Sequence, residues 1–259
     1  MKISIYGAGW LGNPLAIALS GYAHEIWATR SKNTHSFGIP SLHYLPWRAE
    51  LGMNKNLWKP LIDSELQIWC IPPRVKINGD FFYTEIIQEW LEYLKGSPVQ
   101  KIIFLSSTSV YLPIDGIINE ESEVHMDSII FKAEQLIEQS KIPHLILRLG
   151  GLMGADRYVG KYYSGKQVDR ANGPVNYIHL DDAVQFTLSA INCDLVGIFN
   201  LVAPEHPLRK DVVEQSCLKH QLPLPTGYLY NEIAPKIISS EKITNTLDLA
   251  FIHPNPIDF

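Results

Sequence analysis

The sequence predicts an α/β protein with a doubly wound parallel sheet of about seven strands and a small C-terminal substrate lobe. Three observations lead to this prediction. Strand and helix signals alternate from the first residue, which is typical of parallel strands joined by crossover helices. A glycine-rich turn follows the first strand and opens the first helix. Loops and prolines interrupt the alternation twice. We therefore assign 1–150 and 176–202 to the sheet domain, and 151–175 and 203–259 to the lobe.

The N-terminal half contains four predicted strands. Lys2–Tyr6 is a short apolar run, and the helix Asn13–Ser20 ends before Gly21, a residue typical of helix C-termini. Pro72 and Pro73 stop the fourth strand, because proline continues neither a strand nor a helix. The second, third and fourth strands are predicted at His24–Thr29, Leu42–Tyr44 and Gln67–Ile71.

The C-terminal half continues the same alternation. A helix is predicted from Phe81 to Leu94, because apolar residues recur there at helical spacing. Further helices are predicted at 127–140, 181–192 and 209–219. Three strands complete the sheet: Lys101–Leu105, His144–Leu149 and Ile198–Val202.

Composition excludes several classes of protein. A net charge of −5 offers no basic field for nucleic acid or anionic lipid. No stretch approaches the roughly 18 apolar residues of a membrane span. Three widely spaced cysteines, Cys70, Cys193 and Cys217, suit reduced thiols better than a disulfide framework or a zinc site. We therefore expect a cytoplasmic protein without a metal that binds a small molecule, and any homodimer to form through helices 81–94 and 127–140.

The glycine-rich turn at residues 7–12 predicts a dinucleotide site. The first glycine allows the tight turn, the second lets the pyrophosphate approach the backbone, and the third lets the helix pack on the strand. The alternative is a glycine turn without a ligand. Cofactor contacts are predicted from Gly7, Gly9, Trp10, Leu11, Gly12, Arg30, Ser31, Ile71, Pro72, Ser106, Leu149 and Gly150.

The end of the second strand distinguishes between the two nicotinamide cofactors. Sites for NAD place an Asp or Glu there to hold the ribose 2′-hydroxyl. Here Arg30 and Ser31 follow Thr29, and a guanidinium can bind a 2′-phosphate through two charge-assisted hydrogen bonds. The sequence therefore predicts NADP(H), with NAD as the alternative. A surface arginine at a strand end is the other interpretation.

Four further motifs follow the glycine turn in a fixed order: Ser106-Ser107-Thr108-Ser109-Val110-Tyr111, Ile146 to Gly154, Tyr177 to Ala183 and Ile237 to Pro254. With them the chain resembles, over nearly its whole length, the extended short-chain dehydrogenase/reductases. It resembles most the small atypical members of the NAD-dependent epimerase/dehydratase group. The glycine turn is one residue shorter than the family's usual spacing. The resemblance implies a Rossmann fold and an NAD(P)-dependent oxidoreductase or epimerase acting on a small polar or sugar-like substrate.

The resemblance also implies a catalytic Ser or Thr, a Tyr that transfers a proton, and a Lys that lowers the pKa of that Tyr. Counting back four residues from Tyr111 places the family's hydroxyl on Ser107. A structural serine that closes a strand-end turn is the alternative interpretation of Ser107.

The family's Tyr-x-x-x-Lys pair is missing. Lys132 is the only lysine on the predicted helix, and Ser128 stands four residues before it. The family's helix usually carries a Glu fourteen residues before the Arg of the next strand. Glu134 and Arg148 have this spacing and place Ile130, not Lys132, at the lysine position. Both registers lack the tyrosine, and Lys132 is a candidate catalytic residue only in the register that places Ser128 at the tyrosine position.

Other polar residues have competing interpretations. Tyr111, Arg157, Tyr158 and Lys166 are predicted to contact an anionic or sugar-like substrate, although 157–166 is equally typical of a solvated loop. His125 is a candidate substitute acid or a solvated histidine. Asp181 and Asp182 precede an apolar helix, where Asp is first a helix cap, and His179 is predicted to be structural.

Two functions remain open at this stage. One is an NADP-dependent reductase or epimerase with a rearranged proton relay, which the retained Ser107 and the lobe favour. The other is a regulatory protein that senses NADP(H), which the missing tyrosine favours.

Overall fold

A computed structural model of the 259-residue chain describes residues 1–22, 24–31, 38–48, 55–73, 82–230 and 235–259. Its main sheet has seven parallel strands, which confirms the predicted α/β fold. The strands of this sheet are β1 (Lys2–Tyr6), β2 (Glu25–Arg30), β3 (Leu42–Pro46), β4 (Leu66–Trp69), β5 (Lys101–Ser107), β7 (His144–Leu149) and β11 (Gly197–Leu201). Their order across the sheet is β11-β7-β5-β4-β1-β2-β3.

Most of the described helices lie between strands of this sheet in the chain, as crossover connections of parallel strands require, and two helices follow its last strand. The helices are α1 (Gly12–Ser20), α2 (Lys55–Ile62), α3 (Phe82–Leu94), α4 (Ile129–Gln139), α5 (Gly160–Tyr163), α6 (Leu180–Asn192), α7 (Arg209–Lys219) and α8 (Glu241–Leu247). Short strands form three further pairs, β8 with β10, β9 with β12 and β6 with β13. Their bounds are β6 (Gly116–Ile118), β8 (Gly151–Met153), β9 (Gln167–Val168), β10 (Tyr177–His179), β12 (Gly227–Tyr228) and β13 (Lys236–Ile238).

The chain divides into two compact units. Unit 1 consists of Met1–Val110, His125–Leu147 and Asp194–Ile198, and unit 2 of Tyr111–Val124, Arg148–Cys193 and Phe199–Phe259. The second unit thus includes 111–124, 148–150, 176–193 and 199–202, which the sequence analysis assigned to the sheet domain. The predicted domain boundaries and the predicted homodimer remain predictions.

An aromatic cluster forms part of the core of unit 1. Tyr6, Trp69 and Trp90 are fully buried there, and Tyr6 stacks on Trp69 with ring centroids 5.6 Å apart. The indole of Trp58 on α2 lies 5.5 Å from the same tyrosine ring. Buried aromatic side chains carry much of a core's hydrophobic stabilisation. This cluster therefore fixes β1 and β4, the strands that flank the glycine turn.

Several element bounds differ from the sequence predictions. The third strand continues to Pro46, the fourth ends at Trp69, and Phe81, the predicted first residue of α3, lies outside the described residues. Helix α2 was not predicted, because Pro60 lies inside it and proline opposes helix interiors. Among the described residues, no helix combines the length and the apolar character needed to cross a membrane.

Candidate functional site

The glycine turn of unit 1 has room for a side chain at only one of three glycines that were predicted to bind cofactor. Gly7 has φ +91°, a conformation that favours glycine, and a Cβ there would lie 2.8 Å from Ile71 Cγ1. A Cβ on Gly12 would lie 2.4 Å from the Gly7 carbonyl oxygen. A Cβ on Gly9 would meet nothing nearer than 3.9 Å. Gly7 and Gly12 therefore build the turn, while Gly9 leaves open space above it.

Thr29, a residue that the sequence analysis did not single out, holds the turn against β2. The Gly7 amide donates to Thr29 Oγ1 at 2.8 Å, and the Ala8 amide donates to the Thr29 carbonyl at 2.7 Å. Thr29 is buried. The sequence signal that could have identified Thr29 is a threonine at the last buried position of the strand that follows the glycine turn. Its hydrogen bonds fix the turn next to Arg30.

Helix α1 begins directly at the turn. No side chain forms a cap hydrogen bond at its N-terminus, where Leu11 precedes Gly12, and its first turn contains no acidic residue. Helix N-termini attract anions because their amides and their dipole present positive charge. Trp10 is half-buried and Leu11 is buried. This end of the helix therefore suits a phosphate.

Arg30, at the end of β2, is positioned by an aromatic ring on the neighbouring strand. Its guanidinium carbon lies 4.9 Å from the centroid of the Tyr44 ring. The Tyr44 hydroxyl donates to Asn13 Oδ1 at 2.6 Å, and burial raises the pKa of Tyr44, so the phenol remains a donor. Ser31 is exposed beside Arg30. Tyr44 and Asn13 thus support Arg30, and the sequence analysis identified neither.

The other predicted cofactor residues of unit 1 lie at the ends of β4 and β5. Ile71 lies against Gly7, and its carbonyl accepts a hydrogen bond from the Tyr83 hydroxyl at 2.8 Å. Pro72 is exposed. Ser106 is buried, and its hydroxyl donates to the fully buried carboxylate of Glu134. Ile71 and Pro72 thus remain candidates for direct cofactor contact, whereas the Ser106 hydroxyl is engaged with Glu134.

Ser107 is half-buried and follows Ser106 at the end of β5. Its Oγ accepts a hydrogen bond from the Ser109 amide at 3.2 Å. This is the turn-closing contact that the structural interpretation of Ser107 requires. The hydroxyl still has a proton to donate, so a substrate contact stays a prediction for Ser107.

Lys132 lies on the exposed surface of α4. Its ammonium forms an ion pair with Asp127 at 3.5 Å, and its side chain is 48% exposed. Exposed pairs of this kind contribute little to stability. Glu134, two residues later, is fully buried. The register based on Glu134 and Arg148 predicts that Lys132 faces outward from the helix. The exposed Lys132 and the buried Glu134 are consistent with that register.

Tyr111, the first residue of unit 2, is buried with its hydroxyl in a hydrogen-bond network. The hydroxyl accepts from Arg148 Nη1 at 2.9 Å and donates to Asn200 Oδ1 at 2.7 Å. Burial raises the pKa of Tyr111, and the adjacent guanidinium of Arg148 partly opposes that rise. Because Tyr111 is only 1% exposed and both of these partners are buried, the hydroxyl is part of the packed interior of unit 2. Its predicted contact with substrate has no direct geometric support.

The basic and aromatic loop of unit 2 contains the other predicted substrate residues. Tyr158 stacks on His220 with ring centroids 3.7 Å apart, and the Lys161 ammonium lies 5.6 Å from the Tyr158 ring. Lys166 is exposed, and its ammonium donates to the Tyr162 carbonyl at 3.2 Å. Arg157 closes a tight turn through its backbone with Gly154. These contacts give the loop a defined aromatic and cationic surface.

Leu149 and Gly150 end β7 in a crowded part of unit 2. Leu149 is buried, and the Gly150 amide donates to the Leu201 carbonyl at 3.0 Å. A Cβ on Gly150 would lie 2.6 Å from the Asn176 carbonyl oxygen. Glycine is therefore needed here for packing, whatever the ligand.

The predicted cap of α6 is replaced by another residue. His179 Nδ1 accepts the Asp181 amide at 3.2 Å, so the histidine is the cap and Asp181 is not. Asp182 is fully buried and accepts the backbone amides of Ile252 and His253. The carboxylates of Asp181 and Asp182 thus have different hydrogen-bond partners and different exposure. His125 is exposed.

Comparison with known proteins places the chain among proteins of this fold. It is 29% identical over 272 residues to the protein YeeZ of Escherichia coli strain K12, covering 99% of this chain and 97% of YeeZ. No protein-family model matches the chain.

Solved structures agree with the predicted fold. UDP-glucuronic acid 4-epimerase from Bacillus cereus in complex with NAD matches with a TM-score of 0.82 at 17% identity, over 100% of this chain and 95% of that chain. dTDP-glucose 4,6-dehydratase from Bacillus anthracis str. Ames in complex with NAD matches with a TM-score of 0.78 at 16% identity, over 99% and 94%. The chain is thus a relative of YeeZ with the fold of the NAD-dependent epimerase/dehydratase family, which its motifs resemble.

Proposed function

We propose that the chain is an NADP(H)-dependent oxidoreductase or epimerase that acts on a small polar or sugar-like substrate. The observation that carries the proposal is Arg30, which follows the buried end of β2 where NAD sites place a carboxylate. The solved structures that share the fold include enzymes in complex with NAD. That likeness supports a nicotinamide cofactor and favours an enzyme over a regulatory sensor.

The residues of unit 1 fit such a cofactor. Gly9 leaves open space at the turn, and α1 offers an N-terminus without a side-chain cap or an acidic residue. The glycine turn and this helix would hold the pyrophosphate. Arg30, supported by the Tyr44 ring, would hold the 2′-phosphate through charge-assisted hydrogen bonds. When bound, the cofactor supplies hydride transfer.

We expect NADPH to bind at least about ten times more tightly than NADH, because a charge-assisted hydrogen bond contributes roughly 1.5–3 kcal/mol. Arg30→Ala should remove most of that preference by weakening NADPH binding alone. Isothermal titration calorimetry with both cofactors measures this directly. Lys132→Ala is the matched control, because it also removes one cation from unit 1 while Lys132 lies on the exposed surface of α4.

Equal affinities of the unmodified protein for NADPH and NADH would contradict the assignment of Arg30. A ten-fold loss of NADPH affinity in Lys132→Ala would instead support the register that places Lys132 at the family's lysine position. In that register the ammonium binds the nicotinamide ribose.

We expect little turnover of sugar nucleotides such as UDP-glucuronic acid. The family's proton-transferring tyrosine has no counterpart in either register of α4, and general acid–base assistance is worth about 10²–10⁴-fold. Residual activity should depend on Ser107, so Ser107→Ala should lower it while leaving NADPH affinity unchanged. Epimerisation of UDP-glucuronic acid at roughly 1–10³ per second by the unmodified protein would contradict this expectation.

A further inference from the structure

Three side chains with metal-binding atoms meet at the N-terminus of α6 in unit 2. His253 Nε2 lies 3.2 Å from Asp181 Oδ2, and His179 Nδ1 lies 3.4 Å from the same oxygen. One ligand atom from each residue lies within 4.8 Å of the other two. The two imidazole rings face each other with centroids 3.7 Å apart. The spacing in the sequence showed no metal motif, because His253 follows Asp181 by 72 residues.

Buried contacts hold His253 in this place. The fully buried carboxylate of Asp182 accepts the Ile252 amide at 2.6 Å and the His253 amide at 3.1 Å. The ring of Phe251 packs against Phe186 of α6 with centroids 4.6 Å apart. Because a charged acceptor and an aromatic contact both fix the chain at 251–253, the position of His253 is set independently of its own side chain.

The position of His179 is also set by its surroundings. A Cβ on Gly154 would lie 2.4 Å from His179 Nε2, so only a glycine leaves room for the imidazole. Nδ1 accepts the Asp181 amide and so carries no proton in the neutral ring. The single lone pair of Nδ1 accepts this amide, so an ion bound at Nδ1 replaces the 3.2 Å cap hydrogen bond. The Asp181 carboxylate lies beside that nitrogen at 3.4 Å.

The distances suit a small tetrahedral ion. Zinc–nitrogen bonds of about 2.0–2.1 Å at tetrahedral angles separate neighbouring ligand atoms by roughly 3.3 Å. Asp181 Oδ2 lies 3.2 and 3.4 Å from the two imidazole nitrogens, and the three ligand atoms all lie within 4.8 Å of one another. Two imidazoles and one carboxylate are ligands that zinc accepts, whereas Mg²⁺ and Ca²⁺ prefer all-oxygen sites. The Asp181 side chain is 60% exposed and that of His253 is 31% exposed, so water can reach a fourth position.

We propose that His179, Asp181 and His253 form a binding site for a divalent transition-metal ion, best suited to Zn²⁺, with three protein ligands and one position open to water. The bound ion joins the start of α6 to the 251–253 segment. The site lies wholly within unit 2 and does not depend on the proposed cofactor.

The test is a calorimetric titration of chelator-treated, tag-free protein with ZnCl₂. It is done in a Cys193→Ser background, because Cys193 is an exposed free thiol that could bind zinc by itself. We expect one saturable zinc ion per chain, no saturable binding of Mg²⁺, and a rise in the temperature of unfolding when zinc is present. Co²⁺ in place of Zn²⁺ should give the intense visible absorption of a tetrahedral site.

Matched variants identify the ligands. His179→Ala and His253→Ala should each weaken zinc binding by roughly 100-fold or more, since even the loss of an outer-shell partner costs about 10–100-fold. His24→Ala removes a histidine of unit 1 and should leave zinc binding unchanged. His253→Gln, which keeps most of the side-chain volume, repeats the test with less risk to folding, and circular dichroism verifies that each variant is folded.

Two results would overturn the proposal. One is the absence of saturable zinc binding to the folded, chelator-treated protein. The other is zinc binding of unchanged affinity in a folded His179→Ala/His253→Ala double variant.

Discussion

Gly12→Ala is expected to lower the free energy of unfolding by about 3 kcal/mol, whereas Gly9→Ala should leave it nearly unchanged. The added methyl at residue 12 would lie 2.4 Å from the Gly7 carbonyl oxygen and 3.3 Å from Cys70 Cβ. The first of these atoms belongs to the backbone of the turn and cannot rotate away. Overpacking at such a place typically costs about 1–3 kcal/mol, and the clash here falls at the upper end of that range.

The two variants differ in what the methyl group disturbs. At Gly9 the nearest atom is 3.9 Å away, so the protein accommodates the methyl, and a backbone with fewer unfolded conformations offsets any small loss. In the proposed cofactor site, the same methyl would stand where the pyrophosphate approaches the turn. We therefore expect Gly9→Ala to retain stability and lose NADPH affinity, while Gly12→Ala loses both.

Urea unfolding at 25 °C and calorimetric titration of NADPH measure these two quantities on the same samples. Equal stability of the two variants would show that the turn can relax around Gly12. Unchanged NADPH affinity in a stable Gly9→Ala would show that the cofactor does not approach this turn.

Tyr111→Ala is expected to lower the free energy of unfolding by about 4 kcal/mol or more. Truncation of a buried aromatic residue costs about 3–5 kcal/mol. The loss of the hydroxyl also removes the partner of Arg148 Nη1 at 2.9 Å and of Asn200 Oδ1 at 2.7 Å. Buried polar groups that lose a partner destabilise the fold by about 1–3 kcal/mol.

Tyr111→Phe is the matched control, because it keeps the ring beneath the Arg148 guanidinium at 4.9 Å and removes the hydroxyl alone. We expect it to lower the free energy of unfolding by about 2 kcal/mol. Urea unfolding of the two variants separates the contribution of the hydroxyl from that of the ring. A fully stable Tyr111→Phe with impaired turnover would instead support the original prediction that Tyr111 contacts substrate.

Much of the fold and of the candidate cofactor site could be predicted from the sequence alone. The glycine turn was predictable because Gly7 and Gly12 are required by contacts within a few residues of chain and against one neighbouring strand end. The absence of a carboxylate at the end of β2, and the presence of Arg30 there, can be read directly from the residue order. The parallel sheet follows from the alternation of strands and helices, which is a local property of each segment.

The tertiary structure decided which polar groups are buried together. Sequence predicted Tyr111 to contact substrate, but Arg148 and Asn200, which lie 37 and 89 residues away, surround its hydroxyl. The contact of Asp181 with His253 also joins residues far apart in the chain, since 72 positions separate them. Local patterns specify backbone conformation over one turn or one strand, whereas side-chain contacts require the relative placement of whole elements. That placement is fixed only when the core is packed.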